Sequence, residues 1–85
     1  MDRNEITNAV FDACVDLLKA DRADLNEDTR FGDDLDADSL DLVEVVMSLE
    51  DRFGITIPED DLEDVETIGQ AVDRVQNRLG DEANA

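Results

Sequence analysis

Aliphatic residues recur at helical spacing through most of this chain, and that periodicity leaves few folds open to it. Residues 3–19 carry Ile6, Val10, Cys14, Leu17 and Leu18 on one stripe, with Asp2 and Glu5 placed to cap its start. Residues 39–53 carry Leu42, Val45, Val46, Leu49 and Phe53 on one face, bounded by Asp38 as N-cap and Gly54 just past the end. Pro58 opens a short helix with Glu59, Asp60 and Asp61 in its first turn, where the helix dipole favours carboxylates. Thr67 and Gln70 form a capping box ahead of Ile68, Ala71, Val72, Val75 and Leu79, and Gly80 is expected to end that helix. The best strand candidate, Ile55-Thr56-Ile57, is too short to build a sheet. The fold class is therefore all-α: a small bundle of three main helices plus one short helix. Residues 1–80 form a single domain, and residues 81–85 form a frayed tail. Residues 20–37 read as a long acidic loop pinned to the core by Leu25, Phe31 and Leu35. A loop of that length implies either an internal turn of helix or a functional role.

Eighty-five residues support one small core, and with three phenylalanines as the only aromatics it must be filled by Leu, Val and Ile. Against this stands a net charge of −18, from 25 acidic and 7 basic residues. Such a surface repels nucleic acid and anionic membranes and speeds encounter with partners that carry Lys and Arg patches. Solubility or adaptation to salt explains the same charge without a partner. Self-repulsion also argues for a monomer. A lone cysteine, Cys14, lies on the apolar stripe of the first helix and reads as a core residue. No apolar run approaches the ~20 residues of a membrane span, and the acidic N-terminus lacks a basic start. A soluble, cytoplasmic protein without membrane insertion is expected.

The helix over 39–53 has an apolar stripe too many. Leu40, Val43 and Met47 gather opposite the core face, at i, i+3 and i+7, bordered by Asp41, Glu44, Glu50 and Asp51. Either the loop over 20–37 covers this stripe, or it faces water as a docking surface. On such a surface, apolar anchors make contact and carboxylates steer a basic partner. Met47 suits the second role, because an unbranched thioether adapts to different partners.

Ser39 stands among aspartates at the start of this helix, in a chain without histidine. No residue is placed to act as its base, which argues against a catalytic nucleophile and leaves a hydrolase the weakest reading. It either helps Asp38 cap the helix or is itself a substrate, its hydroxyl exposed where the dipole would favour an attached phosphate. Asp34, Asp36 and Asp38 alternate as in a calcium loop, but that template needs Gly and Glu where Ser39 and Val45 stand. No metal site is assigned, beyond weak, unstructured divalent-ion binding to the acidic cluster.

Phe31-Gly-Asp-Asp-Leu-Asp-Ala-Asp-Ser-Leu-Asp41, then Val43-Glu-Val-Val-Met-Ser-Leu-Glu50, Phe53 and Ile57-Pro58, resemble the acyl carrier proteins, most of all the free-standing type of bacterial fatty acid synthesis. The likeness runs from the first helix to about Val75. It implies that Ser39, preceded by Asp38, is esterified with 4′-phosphopantetheine from coenzyme A. A separate phosphopantetheinyl transferase, the holo-ACP synthase, supplies the activation that this chain lacks. It further implies that Leu40, Asp41, Val43, Glu44, Met47, Glu50 and Asp51 dock acyl-processing enzymes through their basic patches. Val45, Val46, Leu49, Phe53, Leu62 and Ile68 would wall a shelter for the acyl chain. The chain departs from the family at Asp36, where glycine is usual, and glycine takes positive φ more readily than aspartate does. A differently bent loop before Ser39 is the expectation.

The leading function is thus a carrier, not an enzyme, holding acyl thioesters for fatty acid biosynthesis. A dedicated carrier for polyketide, lipid A or peptide building blocks uses the same device. An unmodified acidic adaptor, with Ser39 only a cap, is the alternative from another class.

Overall fold

The structure, a computed structural model, describes residues 2–83. Three α-helices, α1 (Arg3–Leu18), α2 (Ser39–Phe53) and α3 (Ile68–Ala83), are joined by segments holding two 3₁₀ turns, Arg22–Asp24 and Glu59–Leu62. The short helix after Pro58 is the second of these turns. No strand is formed among the described residues; an isolated bridge pairs Arg30 with Thr67.

Local chemistry sets most helix ends. Asp2 accepts the amide of Glu5 at the start of α1, and α1 stops where Lys19 turns left-handed at φ 59°. Asp38 and Asp41 cap α2 reciprocally, each carboxylate accepting the other's amide, at 2.9 and 3.2 Å. Gly54, at φ 66°, closes α2. Thr67 and Gln70 form the predicted box at α3. Gly80 does not end α3, which continues to Ala83. A helical glycine costs only about 1 kcal/mol against alanine, too little to stop a helix without a left-handed turn. The rest of the expected tail, residues 84 and 85, lies outside the described residues.

The core unites Ile6, Ala9, Val10, Ala13 and Cys14 of α1, Val45, Val46 and Leu49 of α2, and Ile68, Ala71, Val72 and Val75 of α3. Burial also pushes the Cys14 thiol up to about 11, so it stays protonated and inert. Leu25 and Phe31 anchor the long loop as expected, while Leu35 packs at the core's edge.

The loop's second task was not predicted. Its carbonyls at Glu27 and Thr29 accept the amides of Gly69 and Ile68, at 2.8 and 3.0 Å. The first turn of α3 is thereby satisfied from a distance. Arg3 fastens the same junction from α1, donating to Glu27, to Asp73 at 2.7 Å and to Gln76 at 2.7 Å.

Candidate functional site

The site is built where that loop meets α2. From Arg30 to Ala37 the chain closes on itself: Asp34 accepts the amide of Arg30, and the amide of Ala37 reaches the carbonyl of Phe31 at 2.8 Å. Within this turn Asp36 is left-handed, at φ 54°, with its amide bonded to Gly32. Aspartate therefore stands here in a conformation that glycine enters more readily.

Ser39 follows as the first residue of α2, exposed, and no described side chain bonds its hydroxyl. Asp38 takes the amide of Asp41 with its carboxylate and that of Leu42 with its carbonyl. The amides of Ser39 and Leu40 keep no acceptor among the described residues. Two open amides at the positive end of a helix suit a phosphate on the neighbouring hydroxyl.

Two clefts meet at Ser39. One, of about 290 Å³, runs past Phe31, Gly32, Ala37 and Val65. The other, of about 340 Å³ and lined mainly by apolar surface, runs between Leu40 and Val43 of α2 and Glu59 and Leu62 of the 3₁₀ turn with Glu63 just after it. Leu42 borders both. Sequence reading had assigned Leu42 only to the core; its place three residues after Ser39, at the boundary of two helix faces, is the signal that could have found it.

The surplus stripe of α2 faces water, and the long loop does not cover it. Leu40 is 73% and Met47 57% exposed, while Val43 is half-buried beside the second cleft. Glu44 and Asp51 flank Met47, both exposed, and neither is paired with a cation among the described residues. All six arginines are engaged elsewhere, and the one lysine donates to the Asp16 carbonyl. The other two docking candidates carry intramolecular bonds. Asp41 is half of the α2 cap, and Glu50 accepts the Ile57 amide at 2.8 Å. Of the six candidate shelter residues, Val45, Val46, Leu49 and Ile68 are buried, and Phe53 and Leu62 pack at the edge.

Comparison with known proteins agrees with this geometry. Residues 8–75 match the family described as "Phosphopantetheine attachment site". The chain is 42% identical over 80 residues to the acyl carrier protein of Lactobacillus acidophilus, covering 94% of this chain and all of that one. It is 43% identical over 75 residues to that of Rubrobacter xylanophilus, covering 88% and 93%. Against that of Lactobacillus johnsonii the identity is 44% over 77 residues, covering 91% and 96%.

Proposed function

The chain belongs to the acyl carrier protein family, whose members carry acyl groups and do not catalyse, and from that premise we propose that Ser39 bears its 4′-phosphopantetheine arm. The observation that carries the proposal is the exposed Ser39 hydroxyl where two clefts meet, it and the two amides beside it having no partner among the described residues. On attachment the serine oxygen forms a new bond to phosphorus, the pyrophosphate of coenzyme A breaks, and the nucleotide half leaves. The serine proton passes to the transferase, since this chain offers no histidine to take it. The bound arm supplies a terminal thiol on which acyl groups are held as thioesters.

The chain's own residues then present and orient. Leu40, Val43 and Met47 offer apolar contact beside Ser39, while Glu44 and Asp51, free of internal cations, attract Lys and Arg on the transferase and on acyl-processing enzymes. Asp41 and Glu50 serve the same face indirectly, by fixing the start of α2 and the segment after it. Leu42 and Leu62 border the cleft and pack against the core that holds Val45, Val46, Leu49 and Ile68, an aliphatic interior in which each buried methylene of an acyl chain gains ~0.8 kcal/mol, while Phe53 lies at the far end of α2. Fatty acid biosynthesis in the cytoplasm is the setting this reading favours, because that is the usual role of the family's free-standing members.

Thiol titration of the native protein tests the proposal. Cys14 is buried and should not react. After treatment with coenzyme A, Mg²⁺ and a transferase, one reactive thiol should appear in the wild type and none in Ser39→Ala. A new thiol in the variant would refute Ser39 as the attachment site.

A further inference from the structure

The outer wall of the apolar cleft is the 3₁₀ turn Glu59–Leu62 with Glu63. Its sequence works against its position. Glu59, Asp60, Asp61, Glu63 and Asp64 place five carboxylates within six residues, close to a helix that is itself acidic. Repulsion pushes this wall outward, and Leu62 is the one side chain of the turn that packs on the core.

Two cations of α3 oppose that push at a single residue. Arg74 Nε donates to the Asp61 carbonyl at 2.9 Å, and Arg78 Nη2 pairs with the Asp61 carboxylate at 3.3 Å. Among the described residues, the other hydrogen bond that leaves residues 58–64 is local, from the adjacent Val65 amide to the Leu62 carbonyl at 3.0 Å. All three residues are half-buried, so the contacts are only partly open to salt.

We infer that Arg74 and Arg78 are positioning residues that fasten the outer wall of the cleft beside Ser39 to α3, and so set how well an acyl chain on the arm is shielded from water. The inference rests on the carrier reading above. Neither arginine touches the hydroxyl; both act through Asp61, Leu62 and the wall these form.

The test uses the loaded carrier. Wild type, Arg74→Gln, Arg78→Gln and the double variant are converted to holo-protein and charged with a butyryl or an octanoyl group. Cleavage of each thioester by hydroxylamine is then timed. Arg52→Gln, which changes the charge by as much as either single variant, lines neither cleft and loses only an exposed pair with Asp12, serves as the control.

In the wild type and the control, the octanoyl thioester should be cleaved severalfold more slowly than the butyryl one. In the double variant that protection should largely vanish, with butyryl cleavage unchanged and helical circular dichroism retained. Equal protection in wild type and a folded double variant would overturn the clamp. If the double variant does not fold, the two single variants decide: each should show partial loss, and full protection in both would also overturn it. Failure to load any phosphopantetheine is a separate result, and contradicts the carrier reading instead.

Discussion

The amide of Gly69 lies 2.8 Å from the carbonyl oxygen of Glu27, and a Cβ on Gly69 would come within 3.0 Å of that same oxygen. The long loop can thus cap α3 only because no side chain stands between them. Gly69→Ala should destabilise the fold by about 1–2 kcal/mol, since a backbone atom must move and the small gain in helix propensity does not offset it. Urea denaturation measures this directly. An alanine variant as stable as wild type would show that the loop is free to shift.

Asp36 gives a prediction of opposite sign. Held at φ 54° with its side chain exposed, it occupies a conformation that glycine enters without cost. Asp36→Gly should be at least as stable as wild type, by up to ~1 kcal/mol, whereas Asp36→Ala should be less stable than Asp36→Gly. Both variants remove one carboxylate, so the difference between them isolates the backbone from the charge. Equal stability of the two would mean that the bend is not under strain.

What the sequence made legible follows from range. The ends of α2 were readable because Asp38 and Gly54 act within one helical turn, although Asp41, read as a docking residue, proves to share the cap. The exposure of Leu40 and Met47 was readable because a small bundle has no second layer to cover them. The Arg3 junction, the Gly69–Glu27 approach and the Arg74–Asp61–Arg78 clamp were not, since each joins segments that only the folded chain brings together. Glu50 shows the same boundary from the other side. Helical periodicity places it at the docking face, yet its carboxylate turns to the Ile57 amide, and periodicity holds no information about that amide.

Acid should reveal the ion pairs at Asp12. Hydrogen bonding from Arg22, seconded by Arg52 and opposed by slight burial, holds the Asp12 carboxyl below its ordinary value. A depressed carboxyl contributes stability that is complete above its unfolded pKa, about 3.9, and is lost as pH falls through the folded value. Asp12→Asn should therefore be less stable than wild type at neutral pH. The difference should stay below about 1 kcal/mol for so exposed a site and disappear in strong acid. A difference that persists in acid would assign it to packing rather than charge.

The face of α2 should separate binding from folding. Met47→Glu should reduce the efficiency of phosphopantetheine loading about tenfold, the effect of losing a central apolar anchor. Glu44→Lys should act in the same direction and flatten the salt dependence of the reaction. Both positions are exposed, so denaturation midpoints should stay within about 0.5 kcal/mol of wild type. Undiminished loading of both variants would move the docking surface elsewhere.

The central claim is that Ser39 is a substrate for attachment rather than a cap or a nucleophile. Intact mass spectrometry after incubation with coenzyme A, Mg²⁺ and a broad-specificity phosphopantetheinyl transferase tests it most directly, with Ser39→Ala alongside. A single added phosphopantetheine is expected on the wild type, carried by the peptide that contains Ser39, and none on the variant. An unmodified wild type that circular dichroism shows to be helical, or a variant that gains the same mass, would contradict it.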